Sequence, residues 1–356
     1  MGSLFAASLN WIGKIIYNGL YSWVQTWATE QSWISYFAIT VILFTIFLKL
    51  ILLPLDVWQK VLTRKNQLKM EVMKPELNKI QEQYGSDREA LMRSQRALYK
   101  KYKYKTFAAC LPSIVTMVIF FIVLSGFTSS VKYHNVKMFE KLQETYNTTY
   151  TTTLEAERAA NPEQGEADNI KKAVIEAEKA VIADYDPENF LLTKNIFMPD
   201  TWKPPVPNVY TYAGTGLGKI GITGVDRDEY NKVMGPIMDT YNINEKGKKQ
   251  WNGYLVLPII SILLNFLSSI LIKPPEQPAM AGQTAEQQKM QKSQAKMMQF
   301  MMPVMMGIFA LLYSTAFTLY MTISAGLTLL LNLGFNFVFK MIDKKRASQG
   351  ISVVIK

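Results

Sequence analysis

Residues 34–55 read ISYFAITVILFTIFLKLILLPL, an apolar run interrupted by one charge, Lys49. A bilayer core takes about 20 mostly apolar residues in helical form to cross, so this stretch reads as a transmembrane helix. Residues 107–127 and 254–272 are two more such runs, neither carrying a charge. Residues 298–339 are too long for one helix and hold Tyr313-Ser314-Thr315 near their middle. They read as two helices, 298–313 and 316–339, joined by a tight turn. The expected fold class is an all-α polytopic membrane protein with five transmembrane helices.

The connecting segments set the orientation, because cytoplasmic loops carry the Lys/Arg excess. Residues 56–106 hold 13 basic and 6 acidic groups, and residues 129–253 hold 15 basic and 18 acidic. Residues 273–296 have 4 basic and 2 acidic, and residues 340–356 have 5 basic and 1 acidic. Basic and acidic segments alternate as five spans require, with the N-terminus outside and the C-terminus inside. The net charge of +11 over 356 residues is thereby explained by topology, and no specific nucleic-acid binding is expected. A single Cys and a single His exclude a disulfide framework and most metal or imidazole chemistry.

Residues 1–33 lack the basic start of a standard signal peptide. Leu4, Phe5, Leu9, Ile12, Ile15, Ile16 and Leu20 recur at roughly helical spacing. They predict an external amphipathic helix with Trp11, Trp23 and Trp27 as interfacial anchors. An unremarkable uncleaved leader is the alternative. Residues 56–106 are rich in helix formers and break at Tyr84-Gly85-Ser86-Asp87. Ser86 and Glu89 have capping-box spacing, so the segment reads as a cytoplasmic helical hairpin. Leu77, Ile80 and Tyr84 would face Leu91, Leu98 and Tyr102 across a thin seam. Its basic faces suit lipid head groups, a ribosome or plain solvent.

The extracellular segment, 128–253, has a helix-prone acidic part split near Asn161-Pro162, then Pro-rich and Gly-rich turns. Its role is not readable. Residues 273–297 read as a flexible cytoplasmic loop and 340–356 as a basic cytoplasmic tail. Gly216-Leu217-Gly218-Lys219-Ile220-Gly221 matches a dinucleotide fingerprint, but no βαβ unit surrounds it, and it reads as a loop. Asn147-Thr148-Thr149 is a glycosylation sequon without a secretory context. His134 stands just beyond the second span with no partner in view. No catalytic residues, metal ligands or cofactors are expected.

Lys49 is the one ionisable group inside the expected spans, and burial makes such a group a functional candidate. Snorkelling to the inner interface, six residues or about 9 Å away, is an equal reading. Polar residues share faces of the other helices: Ser261, Asn265, Ser268 and Ser269; Thr318, Thr322, Asn332 and Asn336; Ser113 and Thr116. Helix–helix hydrogen bonding accounts for some of them. Several polar stripes with a buried cation suit a water-accessible groove better. The expected lining is Lys49, Thr45, Ser113, Thr116, Ser261, Asn265, Ser268, Thr318, Thr322 and Asn332. The Met-rich run Met297 to Met306 suits varied apolar clients or serves as lipid-facing filler.

Leu48 to Leu55, then Lys74-Pro75-Glu76-Leu77-Asn78-Lys79-Ile80-Gln81, resemble the first span and hairpin of the YidC-type membrane-protein insertases. Cys110-Leu111-Pro112 with Ile119-Phe120 resembles the family's second span. Met301-Met302-Pro303-Val304-Met305 and Leu319-Tyr320 resemble its last two, so the resemblance runs through all five spans. It implies a hydrophilic groove open to cytoplasm and lipid, and insertion and folding of nascent membrane proteins in the bacterial plasma membrane, alone or with the Sec translocon. Membrane lipids and the ribosome are further expected partners, with Pro75, Glu76, Lys79 and Tyr84 of the hairpin as client or ribosome contacts. Family members carry an arginine where this chain has Lys49, which keeps the charge and loses the guanidinium fork. Two rival readings are an anion channel using Lys49 and a scaffold acting through its outer segment.

Overall fold

A computed structural model describes residues 8–29, 31, 33–85, 87–104, 111–160, 163, 165–216, 218–271 and 285–348. Among these the protein is all-helical, and its only β pairing is four isolated bridges. The first described elements are α1 (Trp11–Gly13), a π-helical segment (Lys14–Tyr21) and α2 (Ser22–Trp27). Then come α3 (Tyr36–Tyr84), α4 (Arg88–Lys101), α5 (Leu111–Ala160) and α6 (Glu166–Asp184). They are followed by α7 (Val209–Ala213), α8 (Arg227–Tyr241), α9 (Val256–Leu271), α10 (Ala285–Leu312) and α11 (Thr315–Ser348). Three of these, α3, α5 and α11, contain stretches long and apolar enough to cross a membrane; α9 and the Pro303–Leu312 part of α10 are shorter apolar helices.

The apolar helices do not stop where the apolar residues stop. α3 continues from its apolar half through Pro54 and Pro75 into the Lys/Gln/Glu-rich half, whose residues favour helix as strongly as leucine does. α5 likewise carries on to Ala160. Leu50 and Ile51 on α3, and Ile114, Met117, Val118 and Phe121 on α5, remain exposed. So do Leu263, Leu267 and Ile270 on α9, and Leu330, Leu333 and Phe337 on α11. Apolar faces of this extent are the surface a helix turns to lipid.

The chain divides into two compact units. The first comprises Met1–Thr45, Ile122–Ser261 and Gly307–Ile323. In it α6 buries a stripe at fourfold spacing, Asn169, Ala173, Ala177 and Val181, and packs against α8. Beside them Phe139, Tyr146, Tyr212 and Tyr230 form an aromatic core, with the Phe139 and Tyr230 rings stacked at 5.3 Å. The 128–253 segment is therefore a folded body. Ile12 and Ile16 are buried on the first turns of the chain, and a Cβ at Gly126 would lie 2.0 Å from Ile12 Cγ2.

A strap within this unit, residues 188–200, gathers three helix starts. Glu188 Oε2 accepts the Phe37 N–H at 2.8 Å, in the first turn of α3, and its Oε1 accepts the Tyr21 hydroxyl. Asp200 accepts from Leu255 N at 3.0 Å and Leu257 N at 2.9 Å, closing the start of α9. The carbonyls of Met198 and Ile196 each take a backbone N–H at 2.9 Å, from Thr315 and Ala316 at the start of α11. The first turn of any helix leaves N–H groups without intrahelical partners, and two carboxylates also complement the helix dipole. Asn195 and Asn252 hold the strap in shape. Asn252 Oδ1 accepts from Asn195 N at 2.8 Å, and its Nδ2 donates to Pro199 O at 2.8 Å.

The second unit comprises Ile46–Phe121, Ile262–Met306 and Ser324–Lys356. In it α4 folds back on the polar half of α3. Met70, Met73 and Leu98 are buried at the seam, flanked by Leu77, Ile80, Tyr99, Tyr102 and Tyr104. Asp87 caps α4, its carboxylate accepting from Glu89 N and Ala90 N. The expected cap, Ser86, lies outside the described residues; the role falls to the neighbouring carboxylate, an equally good acceptor. Arg64 pairs with Asp343 and lies over the Phe339 ring, fastening α3 to the far end of α11.

Candidate functional site

The expected groove residues fall into both units, and each set has its own geometry. In the first, Thr45, Ser261, Thr318 and Thr322 are all buried. Thr45 Oγ1 donates to Val41 O at 2.6 Å, and Thr318 Oγ1 to Ala310 O at 3.0 Å. Thr322 Oγ1 donates to Thr318 O at 2.8 Å and to Leu257 O at 3.3 Å, bridging α11 to α9. These three hydroxyls bond backbone carbonyls, which suits tight helix–helix packing.

In the second unit, Ser268 on α9 accepts from Asn332 Nδ2 on α11 at 2.7 Å, and one turn on Asn336 Nδ2 donates to Leu271 O at 3.4 Å. Asn332 is 2% exposed, and its Oδ1 has no hydrogen-bond partner among the described residues. A buried amide oxygen left this way is costly and can be satisfied by a water or an incoming polar group. Asn265 is half-buried, and Thr116 is exposed on α5. The Ser113 side chain lies outside what the structure describes.

Lys49 has a carboxylate partner just past the expected span. Its ammonium lies 2.9 Å from Asp56 Oδ2, with the two side chains 17% and 23% exposed. Seven residues make about two helical turns, so both groups stand on one face of α3. Lys60, one turn further, loses basicity chiefly through burial; Asp56 pulls the other way and Lys49 adds to the loss. The face therefore carries the sequence Lys49, Asp56, Lys60, with the carboxylate between two amines. Sequence reading missed Asp56 because it falls just past the apolar run; the sevenfold spacing was the available signal.

On the hairpin, Glu76 accepts from Lys101 Nζ at 3.0 Å and from the Tyr102 hydroxyl. The Tyr102 bond, then Lys101, holds its carboxyl below the usual range. Pro75 sits within α3, Lys79 is exposed, and Tyr84 ends the helix half-buried. Glu76 thus fastens the two arms, and Lys79 remains on the surface. Among the described residues no cluster of His, Cys, Asp or Glu could hold a metal ion.

His134 has partners after all. Its ring stacks on Phe197 at 3.7 Å, and its Nδ1 lies 3.2 Å from the Tyr17 hydroxyl. Burial pushes the imidazole down to about 3, so it is neutral at physiological pH. With Glu188, Asn195, Tyr212 and Tyr230 it lines a cavity of about 20 Å³, room for a single water.

Residues 29–162 match the family model described as 60Kd inner membrane protein. The curated proteins that the chain resembles are bacterial YidC insertases. It is 32% identical over 103 residues to the membrane protein insertase YidC of Fusobacterium nucleatum, covering 29% of this chain and 48% of that protein. The YidC insertase of Clostridium perfringens is 32% identical over 100 residues, 28% of this chain and 40% of that protein. That of Clostridium tetani is 33% identical over 79 residues, 22% and 34% respectively. The chain spans under half the length of these curated relatives. The family match holds α3 with Lys49 and Asp56, α4, and α5 through its C-terminal end. It stops short of α9 to α11.

Proposed function

We propose that this protein is a membrane-protein insertase. Five helices cross the bacterial plasma membrane, with the N-terminus and the 128–253 body outside and the 56–106 hairpin and C-terminal tail in the cytoplasm. The observation that carries the reading is the match of 29–162 to the 60Kd inner membrane protein model, beside YidC insertases at 32% identity; within that stretch Lys49 stands on the apolar part of α3. A polar client tail crossing lipid carries unsatisfied backbone groups and charges at prohibitive cost. A hydrated groove reaching partway across shortens that passage. Lys49 attracts acidic tails into it, and Thr116, Asn265, Ser268 and Asn332 offer polar contacts. The unpartnered Asn332 oxygen supports a wet lining.

The client's apolar segment leaves sideways into lipid, and the membrane potential, worth about 2.3 kcal/mol per charge per 100 mV, draws a negative tail outward. The reaction involves no bond chemistry and no cofactor. The hairpin receives the client from the ribosome, and the Sec translocon is a cooperating partner for larger clients. The test is insertion of a client with an acidic tail into vesicles holding the purified protein. Lys49→Arg retains insertion and Lys49→Glu loses it. Equal insertion by wild type and Lys49→Glu overturns the proposal.

A further inference from the structure

Residues 190–193 form a tight turn in which Phe190 and Thr193 exchange backbone hydrogen bonds at 3.0 and 2.9 Å. Both flanking residues are buried, whereas Leu191 and Leu192 at the tip are 53% and 59% exposed. Leu191 adopts φ +51°, a left-handed conformation that side-chain-bearing residues seldom take and that turns normally assign to Gly, Asn or Asp. Two leucines are held outward on strained backbone, each more than half exposed among the described residues. In water the arrangement is unfavourable twice over.

Where the turn sits supplies the cover. Leu191 N donates to Trp33 O at 2.6 Å, three residues before α3 begins, and Trp33 is itself exposed. A second cluster lies at the start of α9. The Trp202 and Trp251 rings are 6.2 Å apart and those of Trp251 and Tyr254 5.9 Å, all three exposed. They are tied there by Gly253 N donating to Thr201 O at 3.1 Å and by the Asp200 cap. Trp251 and Tyr254 directly precede α9, whose described residues Val256–Leu271 form an apolar helix. Its flanking aromatics are thus drawn to the interface, where Trp and Tyr concentrate. Lys203, Lys248 and Lys249, exposed beside Trp202 and Trp251, suit the phosphates of anionic head groups.

We propose that the 128–253 body docks on the outer leaflet, with the Leu191-Leu192 turn inserted among acyl chains and the Trp202–Trp251–Tyr254 cluster at head-group level. The inference rests on α3 and α9 crossing the bilayer and not on insertase activity. The experiment uses the full chain with Cys110→Ser, carrying Leu191→Cys labelled with an environment-sensitive fluorophore. The protein is placed in vesicles of phosphatidylcholine and phosphatidylglycerol. Lipids brominated near the head-group end of the acyl chain are expected to quench the Leu191→Cys label several-fold more than deeply brominated ones, with blue-shifted emission. An Ile46→Cys label reports whether α3 is in the bilayer, and a Lys171→Cys label on α6 should stay unquenched. Water-like, unquenched emission at 191 beside a quenched label at 46 overturns the proposal. So does concentration-dependent protection in detergent without bromine quenching, which would assign the turn to a second copy of the chain.

Discussion

The Lys49 ammonium is held 2.9 Å from the Asp56 carboxylate, two turns along the same helix. A cation proposed to attract acidic segments is thus already engaged by a carboxylate of its own chain. The two observations combine if a client's acidic residue takes the place of Asp56 on the amine. Asp56 then sets how acidic a tail must be to engage.

Asp56→Asn frees the ammonium. A partly exposed ion pair is worth about 0.5–1 kcal/mol, so removing the competitor raises binding of an acidic-tail peptide by about 2- to 5-fold. Titrating a labelled peptide against the reconstituted variant and wild type measures this. Unchanged affinity would show that Lys49 and Asp56 form a static pair.

Asp200→Ala removes the acceptor for Leu255 and Leu257 N–H at once. The loss of such a cap costs about 0.5–2 kcal/mol, read as a lower unfolding temperature in detergent. Gly253→Ala strikes the same place from the other side, because its Cβ would stand 1.9 Å from Asp200 Oδ1. Both variants should show faster proteolysis around residues 250–256, and the double variant should lose less than the sum of the two.

Gly126→Ala drives a methyl into Ile12 and should destabilise the chain by about 1–3 kcal/mol. Adding Ile12→Ala removes Cγ2 and leaves Cβ at 2.8 Å, so it recovers only part of the loss. Equal melting temperatures for wild type and Gly126→Ala would mean that the first turns of the chain do not pack on α5.

The neutral His134 makes stability depend on pH. An imidazole in the unfolded chain takes its proton near pH 6.5, while the folded one resists until about 3. Through that window the unfolded state binds more protons, so stability is full above about pH 6.5 and falls as pH drops. Melting temperatures at pH 7.5, 6 and 4.5 should decline for wild type. The decline should be shallower for His134→Gln, which cannot take up that proton.

The all-helical class and the long apolar helices were legible in the sequence because runs such as 34–55 and 107–127 leave no other structure that satisfies its backbone in lipid. Helix ends were less so. Hydropathy marks where lipid stops, and α3 and α5 continue well past that point because Lys, Gln, Glu and Met keep the same backbone geometry in water. The hairpin seam was partly legible: Leu77, Ile80, Leu98 and Tyr102 lie there, but its buried centre is Met70 and Met73, outside the periodic set. Glu188 and Asp200 gave no signal. A carboxylate among eighteen acidic groups in a polar segment looks solvated until folding brings it to a helix start more than fifty residues away. Asp56 differs, since its partner is local and helical geometry alone would have found it.

The strap at 188–200 also bears on how the molecule is made. Met198 awaits Thr315, and at about 5–20 residues per second the ribosome needs on the order of ten seconds to supply it. The early helices must therefore persist for that interval with one junction still open. That junction closes only when the last long helix has been made.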